Sequence, residues 1–199
     1  ITTAVVCYFA AAYLQNIFST ADSVQPLWWL SLYVAFVGLN IFGVEASFKF
    51  VVFITVLALL ILLSFYLSAV SHFSWAALWN IEPEPGHSVW LPRGFMGIGA
   101  ALPFAIWLYL AIEQLPLAAE EATDISRDMP RGLLWGLATL MVTGILITVL
   151  NIGIGGGAAY FGSQTEEPLL DGLKLTVGLS SAKVLGLLAV AGLIASFHA

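Results

Sequence analysis

GFMGIGAALPFAIWLYLAIEQLPLAAEEATDISRDMPRG, residues 94–132, is the stretch that decides how this chain is interpreted. It begins as an apolar run with one acid, Glu113, in its interior, and it ends in the charged segment Glu120 to Arg131. A continuous helix over 94–122 would be about 43 Å long, whereas the hydrocarbon core of a bilayer is about 30 Å thick. The run must therefore tilt, protrude or contain non-helical backbone.

The interior of this run has the features of a discontinuous membrane helix. Pro103 and Pro116 each remove a backbone donor, so both are candidate break points. A charged side chain such as Glu113 costs about 2.5–3.5 kcal/mol near the middle of a membrane, so it usually faces a partner or a pathway. Non-helical backbone at that depth needs protein or a water-filled cavity to satisfy it. Together these features predict a broken helix that lines a site.

The composition is typical of a polytopic all-α membrane protein, with the lipid bilayer as its surroundings. Of 199 residues, 60% are hydrophobic and only 9% are charged, whereas soluble domains carry about 25% charged residues. The chain begins and ends inside apolar runs, so we interpret it as part of a longer protein. We predict six spans, at about 1–18, 27–42, 50–70, 94–122, 132–158 and 180–199.

Two connections between these spans have structure of their own in this interpretation. In the long loop 71–93, the aromatic residues of Phe73 to Trp79 suit the headgroup boundary of a membrane. In the polar connection 160–178, Pro168 to Val177 is predicted to form a short surface helix.

Several classes of function are disfavoured by what the sequence lacks. There is no basic patch for nucleic acid, and the formal net charge is −6. The single cysteine, Cys7, allows neither a disulfide framework nor a metal cluster within the chain. No phosphate-binding loop, zinc-protease motif or nucleophile elbow occurs. We therefore expect no catalytic residue, no metal, no cofactor and no enzyme activity.

The organising run resembles the amino acid–polyamine–organocation transporter superfamily. The resemblance lies in its sixth transmembrane helix and the cytoplasmic loop that follows, and it is carried by Trp107-Leu108-Tyr109-Leu110-Ala111-Ile112-Glu113, Ala118-Ala119-Glu120-Glu121, Arg127-Asp128 and Pro130-Arg131-Gly132. The segments PFAIWLYLAIEQLPLAAEE, RDMPRGLLWG, GVEASFKF and GLIASFH are similar to the bacterial ethanolamine permease branch.

This resemblance implies a fold and an orientation. The superfamily fold consists of two inverted five-helix repeats, and the six spans would match its third to eighth helices. The first helix, which normally shares the substrate site, would lie outside the chain. The segment Glu120 to Arg131 would be cytoplasmic, and the acidic loops around Glu82 and Glu166 would face outward. The positive-inside rule alone leaves the orientation open, because the basic residues divide equally between the two sides.

The resemblance also implies a function. The protein would be a secondary transporter that moves a small amine or amino acid, ethanolamine first among them, across the plasma membrane by alternating access. The coupling ion would be a proton or sodium. Two alternatives stay open at this point. One is an amino acid or amino acid/amine antiporter, and the other is a membrane scaffold or sensor that kept the fold without transporting anything.

Four residues of the broken span are the candidate substrate-binding residues. In several members of the superfamily an acid at the position of Glu113 couples protonation to substrate binding. Trp107 matches a gating aromatic in related antiporters, and an indole face attracts an ammonium within about 6 Å of its centroid. Tyr109 suits either the substrate or packing between helices. Ala111 stands where many relatives have glycine, so the extent of unwinding is open.

A second set of candidates is the charged loop signature that follows the broken span. Its members are Glu120, Glu121, Arg127, Asp128 and Arg131. Their density in so poorly charged a chain predicts salt bridges that hold an inner gate and change with the state of the transporter. They are not expected to touch the substrate.

Overall fold

The computed structural model describes residues 2–41, 44–109, 124–165 and 167–195. Within these ranges the chain forms helices and no strand, which confirms the all-α prediction for this part of the sequence. The α-helices are α1 Thr2–Phe18, α2 Gln25–Ile41, α3 Val44–Val70, α4 Gly94–Leu108, α5 Ile125–Ile152, α6 Gly157–Ser163, α7 Pro168–Val177 and α8 Leu179–Ala195. Two short 3-10 helices, Asp22–Val24 and Trp75–Trp79, lie in the connections.

Two of the described helices are long and apolar enough to cross a membrane. The stretches are Val52–Val70, within α3, and Ile125–Ile152, which is α5; three shorter apolar helices are Ala4–Phe18, Gly94–Leu108 and Leu179–Val190. Only 22% and 11% of the most apolar parts of the two long stretches are buried inside the chain. Apolar surface left uncovered on this scale would be unfavourable in water, so it suits lipid or neighbouring membrane helices.

The starts of two helices and the end of one differ from the apolar runs from which spans were predicted. The spans predicted at 27–42 and 50–70 left a connection over 43–49, and its described part, from Val44 onwards, is helical instead. The helix α5 begins at Ile125 rather than 132, and it ends at Ile152 rather than near 158. A polar end can continue a helix beyond its apolar part, which hydropathy alone does not detect.

The chain divides into two compact units, Ile1–Ser71 with Thr165–Ala199 and His72–Gln164. In the first unit, α8 packs on α1, α3 and α7, and α1 also packs on α2. A small core between α1 and α2 buries Cys7, Ala10, Ala11 and Leu32. Small side chains allow membrane helices to approach closely. The Sγ of Cys7 lies 3.7 Å from the carbonyl oxygen of Trp29, so this cysteine faces a helix.

The helix α7 occupies the range predicted for it, Pro168–Val177. It is more than a surface helix, however, because Leu170 and Leu173 are fully buried. Its contact with α8 depends on Gly186, where a Cβ atom would lie 2.9 Å from Cδ1 of Leu170. The absence of a side chain at Gly186 therefore lets α7 settle closely on α8.

In the second unit, the 3-10 helix Trp75–Trp79 packs on α6 and on the end of α5. The side chain of Asn80 donates to the carbonyl oxygen of Gly156 at 2.6 Å and accepts from the backbone N–H of Ala159 at 2.8 Å. Gly157 has a φ of +71°, and a Cβ there would lie 2.6 Å from the carbonyl oxygen of Ala77. Asn80 therefore caps α6 from a distant segment, and the turn requires glycine at 157.

Candidate functional site

The helix α4 ends inside the apolar run, one residue after Trp107. Tyr109 leaves the helical conformation at φ −102°, ψ 6°, and its N–H donates to the carbonyl oxygen of Ile106 at 3.2 Å. The side chain of Trp107 is 41% exposed. The last carbonyl groups of a helix lack intrahelical partners and carry its partial negative charge. The end of α4 can therefore favour a cation beside an aromatic face.

Of the two predicted break points, Pro103 and Pro116, the structure describes only Pro103. The helix continues through Pro103 to Leu108, so the predicted break at Pro103 is wrong. Membrane helices tolerate an internal proline when neighbouring groups or local adjustments satisfy the freed backbone. Pro116 lies outside the described residues.

Tyr109 is positioned by a contact with α5. A Cβ atom added at Gly144 would lie 3.3 Å from Oη of Tyr109 and 3.3 Å from Cδ2 of Leu108. Gly144 is buried and has no side chain, so it leaves room for the end of α4 against α5. This contact fits the packing interpretation of Tyr109. Gly144 therefore joins the residues that shape the candidate site. Sequence reasoning missed it because one glycine in an apolar helix has no distinctive signal.

The remaining candidates of the broken span and part of the loop signature lie outside the described residues. These are Ala111, Glu113, Glu120 and Glu121. The structure thus brings Trp107 and Tyr109 to the end of α4, and the assignment of all four span residues to a substrate site stays a prediction.

The described members of the loop signature lie in the first turns of α5, so the prediction of a loop there is wrong. Asp124 is the N-cap of α5, and its Oδ1 accepts from the backbone N–H of Arg127 at 3.2 Å. Its own N–H donates to Oδ2 of Asp128 at 3.3 Å. These reciprocal bonds satisfy donors at the helix start, and acidic groups there suit the helix dipole.

The charges of this segment project from the start of α5. Arg127, Asp128 and Arg131 are all exposed. Among the described residues, neither arginine forms an ion pair, whereas Arg93 pairs with Glu84 and Lys174 with Asp171. The salt bridges predicted for this segment are therefore not formed among its described members.

A polar cavity of about 560 Å³ lies in the first unit, at the end of α1. Gln15 donates to Asp22 at 2.6 Å, and the adjacent Asn16 donates from Nδ2 to Oε2 of Glu167. Lys174 donates to Oδ1 of Asn16 at 2.9 Å. The lining consists of Tyr8, Ala12, Gln15, Asn16, Ser19, Thr20, Asp22, Gln25 and Glu167. Sequence reasoning missed this cavity, because its wall depends on contacts between segments that are far apart in the sequence.

A second cavity, also about 560 Å³, lies in the second unit between the start of α4 and α6. Its walls include the small residues Gly97, Ala101 and Gly162, and Trp90 and Arg93 lie at it as well. Within the described ranges, no group of three histidine, cysteine or acidic side chains could hold a metal ion.

Comparison with known proteins gives a family and a distant relative. Residues 1–196 match the sequence profile of a family described as amino acid permease. The chain is 33% identical over 140 residues to an uncharacterized transporter of Rhizobium meliloti (strain 1021). This alignment covers 69% of the chain and 29% of the relative, so the chain spans less than a third of that relative's length. No solved structure matches the chain.

Proposed function

Because this chain belongs to the amino acid permease family, we propose that the protein is a secondary transporter that works by alternating access. Its proposed location is the plasma membrane, where the apolar helices of the chain would lie in lipid or against neighbouring helices. Its proposed substrate is a small amine, ethanolamine first among them. The resemblance of residues 103–121 to ethanolamine permeases supports that choice, and a proton or sodium gradient would drive the transport.

The observation that carries the proposal is the end of α4. The helix ends at Leu108 within an apolar run, and Trp107 is 41% exposed in its last turn. The negative end of a helix and an indole face both attract an ammonium group. Glu113 follows a few residues later in the sequence and would add the matching carboxylate. Desolvating an ammonium is costly unless it is paired, so such partners are what an amine site requires.

The other predicted site residues have distinct proposed roles. Tyr109, which contacts α5 at Gly144, would hold the end of α4 in place and direct its hydroxyl towards the site. Backbone carbonyl groups near Ala111 would accept further hydrogen bonds from the ammonium. Ethanolamine has no carboxylate, so its recognition would depend on its charge and its hydroxyl.

The charged segment after the site is the proposed inner gate. Arg127, Asp128 and Arg131 lie at the capped start of α5, and Glu120 and Glu121 precede them in the sequence. The capped start of α5 holds the backbone of Arg127, Asp128 and Arg131 in a fixed conformation. We propose that they pair with other cytoplasmic groups in one state of the transport cycle and release them in another.

The test is uptake of labelled ethanolamine by the purified full-length protein in liposomes. Competition by L-serine is the sharpest comparison, because serine is ethanolamine with a carboxylate on the carbon that bears the amine. Strong competition by ethanolamine and weak competition by serine, arginine and neutral amino acids would support the amine assignment. Better competition by amino acids would favour an antiporter of amino acids. Uptake no greater than that of empty liposomes would contradict transport and favour a scaffold or sensor.

A further inference from the structure

The polar cavity of the first unit is not used by the proposed transport site. It lies where α1 ends and the 3-10 helix Asp22–Val24 begins. Its lining carries two carboxylates, those of Asp22 and Glu167, together with amide and hydroxyl groups. No lysine, arginine or histidine is among the described residues that line it. The lining thus offers acceptors and negative charge to whatever enters.

The two carboxylates are held in place by consecutive amides of α1. Gln15 donates to Asp22 at 2.6 Å, and Asn16 donates to Glu167. Glu167 is only 5% exposed and lies at the N-cap of α7, far along the sequence from α1. Burial of a carboxylate is costly unless hydrogen bonds or a cation compensate. The two carboxylates of the cavity lining are therefore held by specific hydrogen bonds and are not a chance grouping of surface acids.

A lysine near the cavity orients this wall. Lys174 donates to Asp171 at 2.8 Å and to Oδ1 of Asn16 at 2.9 Å. Because the amide oxygen of Asn16 accepts from Lys174, its NH₂ group is turned towards Glu167. The charge of Lys174 is matched by Asp171, so the lining of the cavity keeps its negative character.

We propose that this cavity is an accessory site for the primary ammonium group of a small amine that lacks a carboxylate. The inference rests on the proposed function, because it gives the amine substrate a second place to bind. An ammonium group has three donors, which match the carboxylates of Asp22 and Glu167. The volume of about 560 Å³ is far larger than a bare metal ion and is in the usual range for small-molecule sites.

The negative lining also gives the cavity selectivity. An amino acid brings a carboxylate of its own, which the charges of Asp22 and Glu167 would repel. Ethanolamine should therefore enter and L-serine should be excluded. The same ammonium group occurs in the headgroup of phosphatidylethanolamine, so the lipid and the free amine are two sources that the experiment must separate.

The experiment measures labelling at the cavity rather than transport. Ser19 lines the cavity and is exposed, so Ser19→Cys in a full-length background without other cysteines gives a thiol at this position. A membrane-impermeant reagent labels it in liposomes made with or without phosphatidylethanolamine. We expect ethanolamine to slow labelling, L-serine to leave it unchanged, and the lipid composition to have no effect. If labelling is slower only in liposomes that contain phosphatidylethanolamine, whether or not ethanolamine is added, the free amine is overturned as the ligand.

Charge-neutral variants separate binding at the cavity from a change transmitted from elsewhere. Asp22→Asn keeps an acceptor for Gln15 and removes the charge. It should raise the ethanolamine concentration that gives half-maximal protection by about tenfold, the lower end of what a bond to a charged group contributes. Glu84→Gln, whose parent residue pairs with Arg93 on the surface, is the matched control and should change nothing. Glu167→Gln should act like Asp22→Asn.

The outcomes distinguish this inference from the proposed function. Ethanolamine uptake without protection of the thiol introduced by Ser19→Cys would overturn the cavity site and leave the transport proposal standing. Protection of this thiol without ethanolamine uptake would overturn the transport proposal and leave the cavity site standing. Equal protection by serine, or protection that Asp22→Asn leaves unchanged, would also overturn the site, because neither depends on the negative lining.

Discussion

The two compact units of the chain hold their helices by different means. In the first unit, Phe65, Leu170 and Leu173 are completely buried, and each belongs to a helix in contact with at least two others. In the second unit, α4 buries only Gly94, and 11% of the most apolar stretch of α5 is buried inside the chain. The helix that carries Trp107 is therefore one of which the described part of the chain buries little.

Their polar groups show the same contrast. In the first unit, Asn16 joins Glu167 and Lys174, which lie about 150 residues away in the sequence. In the second unit, Asp124 caps its own helix, and Asn80 caps α6. The first unit is thus stabilised by contacts between distant segments. The second has capped helices that bury few of their side chains, and this arrangement suits a helix whose surroundings change during a transport cycle.

The largest expected effect is the loss of a core side chain from the first unit. Leu173→Ala removes a side chain that is 0% exposed and should lower the free energy of unfolding by about 2–5 kcal/mol. The matched variant Leu134→Ala, at a residue that is 68% exposed in the second unit, should cost less than about 1 kcal/mol. Unfolding of the full-length protein in detergent measures both. Equal costs would remove the contrast between the units.

A smaller effect is expected at the turn that joins α5 to α6. Gly157→Ala places a Cβ at φ +71° and 2.6 Å from a carbonyl oxygen, so it should destabilise the protein by about 1–3 kcal/mol. Gly162→Ala, within α6 and with nothing within 4 Å of the new Cβ, should be neutral or stabilising by up to about 1 kcal/mol. Thermal unfolding compares the two. Equal changes in stability for the two variants would contradict a requirement for glycine at position 157.

The smallest expected effect concerns the start of α5. Arg131→Ala should lower the maximal rate of uptake by about threefold to tenfold, the range for one exposed charge–charge contact made in a single state. The KM for ethanolamine should stay within twofold, because Arg131 is not expected to touch the substrate. Arg93→Ala, at the start of α4, is the control. A large rise in KM with an unchanged maximal rate would contradict the gate.

Local patterns in the sequence predicted a good part of this fold. Apolar runs indicated the all-helical class, and the polar connection after α6 predicted Pro168–Val177 with the bounds that the structure has. Breaks were predicted at Pro103 and Pro116, and α4 ends between them, at Leu108. Charges misled the interpretation of α5, because Arg127, Asp128 and Arg131 were taken as part of a loop when they lie in the first turns of the helix.

The polar cavity could not be predicted in the same way. Its wall depends on the contact between Asn16 and Glu167, which are 151 positions apart, and no local period or motif signals such a pairing. The space that Gly144 leaves for Tyr109 could not be predicted from local sequence either, because it depends on how the end of α4 packs on α5. Contacts of this kind are properties of the packing and appear only in three dimensions.

The most direct test of a substrate site at the end of α4 is calorimetry of ethanolamine binding to the full-length protein and to Glu113→Gln, at fixed pH. This substitution keeps the shape of the side chain and removes the charge proposed to pair with the ammonium. Binding of ethanolamine to Glu113→Gln should weaken by at least about 1.5 kcal/mol, or roughly tenfold in Kd. Trp107→Leu should cost about 0.5–2 kcal/mol. Binding of ethanolamine to Glu113→Gln as tight as to the wild-type protein would contradict a substrate site at the end of α4.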